Sequence, residues 1–127
     1  MITASFTGNI VREPELRFSV QGKGYTHFTV KNNVTKEKVN FIDVVCFDKL
    51  AENVAASLSK GNRVAVQGSV YLEETTSKEG KKYYNLRCVA TDVAASLRFN
   101  TVFIEKQETK EIEDSGEDPG KDLFNEE

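Results

Sequence analysis

The residues able to do covalent chemistry are few and scattered. General acid–base work or metal-assisted hydrolysis needs converging carboxylates, histidines or thiolates. His27 is the only histidine, and no Asp–Ser or Cys partner stands near it in sequence, so it reads as a strand residue rather than a base. Cys46 and Cys88 lack the close spacing of a zinc site or a disulfide framework, and both fall in apolar β-like runs as small buried hydrophobes. The chain therefore calls for no catalytic residue, no metal and no cofactor. What stands out instead is an aromatic pair. In the run Val39–Phe47, Ile42, Val44 and Cys46 share one side while Phe41, Asp43, Val45 and Phe47 share the other. A strand with one buried side gives the second set to water, which burial alone does not ask of two phenylalanines.

The elements that would hold this pair follow from periodicity. Thr3–Val11 alternates as a first strand with Ala4, Phe6 and Ile10 inward and Thr3, Ser5, Thr7 and Asn9 outward. Gly8 within it predicts a bulge or bend. Leu16-Arg17-Phe18 is a short extended piece, Gln21–Gly24 a turn, and Tyr25–Lys31 the second strand. Asn32–Lys38 is a loop, and Val39–Phe47 is the third strand. Residues 49–60 predict one amphipathic helix with Leu50, Val54 and Leu58 on a stripe, Asp48 as N-cap and Gly61 at the C-terminal stop. Arg63–Glu74 is the fourth strand, with Val64, Val66, Val70 and Leu72 inward and Gly68 as a second bulge. Thr75–Lys81 is a hairpin loop, and Lys82–Val93 the last strand. Three strands, a helix and two strands is the order of an OB-fold. The expected fold class is all-β with one short helix: a five-stranded, partly open Greek-key barrel, helix between strands 3 and 4.

Charge divides the chain of 127 residues in two. Residues 1–104 hold fourteen Lys and Arg against ten Asp and Glu, a balance of +4; residues 105–127 hold three against ten, a balance of −7, within a net charge of −3. A mildly basic domain over 1–104 is followed by an acidic segment over 105–127 whose low hydrophobicity predicts a disordered tail. Met1–Phe6 has no basic n-region and no apolar run approaches a bilayer's thickness, so a soluble, cytoplasmic, nucleoid-associated protein is expected.

Several spaced motifs in order resemble the bacterial single-stranded-DNA-binding protein family over about residues 3–100. These are Gly8-Asn9-Ile10, Pro14-Glu15-Leu16-Arg17-Phe18 and Phe28-Thr29-Val30, then Val44–Val54 with Leu58-Ser59-Lys60-Gly61, then Val66-Gln67-Gly68. Ser96-Leu97-Arg98-Phe99 resembles the close of the domain in actinobacterial members. The resemblance implies homotetramers that bind single-stranded DNA without sequence preference and protect it in replication, recombination and repair. It also implies that bases stack on Phe41 and Phe47, positions where the family places aromatics, because every base has a π-face. Lys31, Lys36, Lys38 and Lys49 around the third strand, and Lys78, Lys81 and Lys82 at the hairpin, become phosphate contacts.

The chain also departs from that family. It has no tryptophan, Lys36 and Thr75 standing about where two would be, and Asp43, Glu73 and Glu74 replace outer-face basic residues. Tyr71, on the same side as Ser69 and Glu73, is the expected compensation, and weaker binding or a shorter footprint is the expected result. Family tails commonly end in an acidic run, a proline and a terminal phenylalanine that dock on replication and repair proteins. Here Asp122, Leu123 and Phe124 are the candidate partner-binding residues, although Glu127 ends the sequence. A nuclease is the first rival, opposed by the scattered acids; an accessory OB protein that mainly assembles with protein partners is the second.

Overall fold

A computed structural model describes residues 1–106. Six strands and one helix follow in the order β1 (Ile2–Ile10), β2 (Glu15–Phe18), β3 (Gly24–Asn33), β4 (Val39–Phe47), α1 (Asp48–Ser57), β5 (Arg63–Thr76) and β6 (Lys82–Ala95). The short extended piece around Arg17 is thus a strand of its own, pairing with β3 from Glu15↔His27 to Phe18↔Gly24. The remaining five run β1-β5-β6-β4-β3, and β3 meets β1 again only at Asn9↔Lys31 and Ile10↔Val30. The sheet is therefore a partly open barrel with β2 added on its rim. The helix lies between β4 and β5, as the OB order requires.

Alternation fills the interior. Ile10 on β1, Phe28 and Val30 on β3, Ile42, Val44 and Cys46 on β4, Val64 and Val66 on β5, and Cys88 and Ala90 on β6 all point inward. Ala51 and Val54 of α1 close one end, and the Thr26 hydroxyl donates to the Ala51 carbonyl at 2.8 Å, which satisfies the one buried polar side chain of that core. Burial pushes the Cys46 thiol up to about 11, against a small opposing effect of its contact with the Thr26 carbonyl, and raises Cys88 as well. Both thiols are free and inert at neutral pH.

Four local expectations need correcting. Asp48 makes no side-chain cap; Phe47 is the N-cap, and Asp48 starts the helix at φ 57, in the left-handed region that Asp tolerates better than most residues. The helix ends at Ser57 rather than residue 60, since Leu58 is already extended, and Gly61 belongs to the next turn, where its N–H donates to the Ile10 carbonyl at 2.7 Å. Gly8 is no bulge: the β1–β5 register runs through it unbroken. A Cβ there would meet the Lys31 carbonyl and come within 2.6 Å of Val30 Cγ1, so Gly8 lets β1 approach β3 where the barrel shuts. The bulge at Gly68 exists, but the extra residue is Thr91 of β6, because Gln67 pairs with Asp92 and Gly68 with Ala90.

A further correction concerns reach. Leu72, expected inward, is 66% exposed, because β5 and β6 continue past the core as a two-stranded ribbon up to Thr76↔Lys82. Alternation persists there with nothing behind it to bury against. No helix among the described residues is long and apolar enough to cross a membrane. Of the acidic segment expected over 105–127, only Glu105 and Lys106 are described; Asp122, Leu123 and Phe124 lie outside the described residues.

Candidate nucleic-acid interface

The outward side of the barrel is ordered in rows by strand pairing, because residues directly opposite on neighbouring strands project to the same face. At one end Phe41 of β4 stands beside Lys31 of β3. The next row holds Thr29, Asp43, Arg87 and Tyr71, from β3, β4, β6 and β5. The third holds Glu15, His27, Val45, Val89 and Ser69, and the fourth Arg17, Tyr25 and Phe47. Phe41 and Phe47 are 59% and 37% exposed and six residues apart, roughly 20 Å along the strand at about 3.3 Å per residue. Tyr71, 49% exposed, flanks the middle. Three rings accessible to solvent thus occupy one continuous face.

The middle of that face is ion-paired. Arg87 Nη1 lies 3.2 Å from Asp43 Oδ2, and Nε lies 3.0 Å from Glu73 Oε2 without aiming its N–H at that oxygen. Asp43 Oδ1 also accepts the Thr29 hydroxyl at 2.9 Å. Two carboxylates share one guanidinium, so the pairing offsets only one of the two negative charges that Asp43 and Glu73 bring to this face. Sequence reasoning missed Arg87, since only the parallel β4–β6 register brings it to Asp43. His27, one row away, is held below its ordinary value mainly by burial, with Arg12, Arg87 and Arg17 adding to the effect and Asp43 opposing it.

The lysines divide by position. Lys31 sits on the face beside Phe41, and Lys36 and Lys38 are exposed in the loop that joins β3 to β4. Lys49, at the start of α1, lines a shallow groove with Phe18, Gly24, Asp48 and Glu52. Lys78 and Lys81 occupy the hairpin tip, where Lys81 Nζ stands 5.8 Å from the Tyr83 ring. Lys82 shares the other side of the ribbon with Glu74, 3.4 Å from its carboxylate, rather than the side of Tyr71. Two more residues were missed. Lys23 Nζ lies 4.8 Å from the centre of the Phe47 ring, and Tyr25 faces outward directly opposite Phe47. Alternation along β3, with Thr26, Phe28 and Val30 buried, carried the signal for Tyr25.

The outward face of the barrel carries exposed aromatic rings among charges of both signs, and residues 1–96 match the model of the single-strand binding protein family. The chain belongs to that family. Relatives named single-stranded DNA-binding protein include one from Paenarthrobacter aurescens, 28% identical over 93% of this chain and 75% of its own length. One from Staphylococcus aureus (strain MSSA476) is 34% identical over 68% of this chain, but the chain spans only 59% of that relative. One from Mycobacterium bovis is 31% identical, covering 82% of this chain and 70% of the relative. A crystal structure of a small single-stranded DNA-binding protein from Streptomyces coelicolor superposes with a TM-score of 0.63 at 24% identity, over 76% of this chain and 94% of that one, which supports the fold. Within the single-strand binding protein family, then, this member combines phenylalanine and tyrosine with an internally paired centre, and contains no tryptophan.

Proposed function

We propose that this chain binds single-stranded DNA without sequence preference and protects it during replication, recombination and repair. The observation that carries the reading is the exposure of Phe41 and Phe47 at the two ends of one outward face, inside the stretch that matches the family. Bases lie flat on those rings, with Tyr71 as a third, and any sequence satisfies a π-face. Lys31, Lys36, Lys38 and Lys49 neutralise phosphates along β4 and its flanks, and Lys78, Lys81 and Lys82 do so at the hairpin. The protein acts by binding and not as an enzyme, as its relatives' names suggest.

Residues 1–104 form the binding domain and residues 105–127 an acidic tail. Asp122, Leu123 and Phe124 of that tail engage replication and repair proteins, and the tail's charge competes with DNA for the barrel. The chain assembles into a homotetramer, as the resemblance implies; along Ile2–Gly8 β1 pairs, among the described residues, only with β5, which leaves an edge on which one pair of copies could meet. The deciding experiment is fluorescence anisotropy of labelled single-stranded DNA, duplex DNA and RNA at two salt concentrations. Preference for the single strand, weakening as salt rises, is expected; equal or stronger binding to duplex would overturn the reading.

A further inference from the structure

The outward face does not stop at β4. Tyr25 lies between Phe47 on β4 and Arg17 on β2, so an aromatic ring and then a guanidinium continue the row beyond Phe47. Beside them is a cleft of about 310 Å³ lined by Arg12, Glu13, Glu15, Arg17, Tyr25 and His27. That volume falls at the low end of small-ligand sites, which run from about 300 to 1,000 Å³.

Two arginines and two glutamates line the cleft, so its formal charge balances; what favours an anion is how the arginines are engaged. Glu13 Oε2 is occupied by the backbone N–H of Lys60 at 2.9 Å, and Glu15 by Arg17 at 3.0 Å. Arg12 has no carboxylate within ion-pair distance among the described residues, leaving its guanidinium free. The Arg17–Glu15 pair is more than half exposed on both sides, and such pairs hold weakly enough to be exchanged for a phosphate. Arginine suits that exchange because its planar fork matches phosphate oxygens two at a time.

We propose that this corner is an additional nucleotide subsite: the single strand leaving Phe47 lays a further base against Tyr25, and Arg12 and Arg17 take its phosphodiester. The subsite rests on the single-stranded-DNA reading and extends it, giving the path across the barrel an end on β2. It also supplies stacking area in a chain without tryptophan.

The test uses the full chain and oligo(dT) of increasing length, read by anisotropy, with circular dichroism melts as the check on folding. Wild type should gain affinity up to a longer oligonucleotide than the Arg12→Ala/Arg17→Ala double variant, and the double variant's salt slope should be shallower by about 0.7 for each phosphate released. Tyr25→Leu should weaken binding of long oligonucleotides about fivefold or more, the low end for one stacked base. Should the double variant fold poorly, Arg12→Gln, which removes no ion pair, carries the same expectation for slope and length. Unchanged length dependence and slope, with Phe41→Ala still weakening binding in the same assay, would overturn the subsite alone. If Phe41→Ala also leaves binding intact, the platform itself fails and the subsite with it.

Discussion

Truncating Phe41 and Phe47 separately should produce unequal losses of DNA affinity, and the inequality follows from what covers each ring. Phe41 is 59% exposed with only Lys31 opposite it, so Phe41→Ala forfeits the full stacking of one base. That is about 1–3 kcal/mol, or roughly 5- to 150-fold in Kd. Phe47 is 37% exposed and carries the Lys23 ammonium 4.8 Å from its ring centre. A base arriving there must displace a cation–π contact worth about 0.5–1 kcal/mol at an exposed site. The net loss for Phe47→Ala is then about 0.5–2 kcal/mol, roughly 2- to 30-fold. Lys23→Ala should close the gap, so that in this background Phe47→Ala costs as much as Phe41→Ala. Neither ring supports the core, and the Tyr25–Phe47 cross-strand pair contributes only about 0.2–1 kcal/mol, so melting temperatures should move by a few degrees. The assay is anisotropy of labelled oligo(dT) at about 0.2 M salt, where phosphate contacts are weakened. A Phe41→Ala protein that melts normally and binds within twofold of wild type would refute stacking at that site. Equal losses at both rings with Lys23 present would refute the masking.

Asp43→Asn should strengthen DNA binding roughly two- to fivefold by removing a like charge worth about 0.5–1 kcal/mol from the middle of the face, and titration of the variant against oligo(dT) checks it. Gly68→Ala should cost about 1–3 kcal/mol in urea unfolding, since a Cβ would press on the Val89 carbonyl and stand 2.8 Å from Ala90 Cα; an unchanged midpoint would mean that β5 and β6 are not packed so closely at the bulge. The folded-state value of His27 lies below that of the unfolded chain, so the unfolded chain takes up the proton first. Stability should therefore fall as pH drops below about 6.5 and level off below the folded value, with His27→Gln flattening that step between urea midpoints at pH 7.5 and 5.5.

The outward position of Phe41 and Phe47 was legible because β4 alternates without interruption from Phe41 to Phe47, with three buried side chains on the opposite side to fix its parity. Carrying the same alternation along β5 misplaced Leu72, because a period of two reports which side a residue takes but not where the core ends. Gly8 and Gly68 look alike in sequence, yet one admits a neighbouring strand and the other faces a bulge whose extra residue is on β6. That difference is set by partners 20 or more residues away. The Asp48 cap failed for a local reason: the residue spends its backbone on a left-handed turn between β4 and α1. The Asp43–Arg87–Glu73 cluster was beyond reach, since it depends on the register of β4 and β5 against β6. Without it the acids read as unpaired charges facing DNA.

The absence of tryptophan offers a direct probe of where bases go. Phe41→Trp puts a single indole on the outward face at the end of β4, with no other such fluorophore in the chain. Its emission should be quenched as oligo(dT) is added, in step with the anisotropy change that reports binding. Emission that stays constant while anisotropy shows the strand fully bound would place the DNA elsewhere on the barrel.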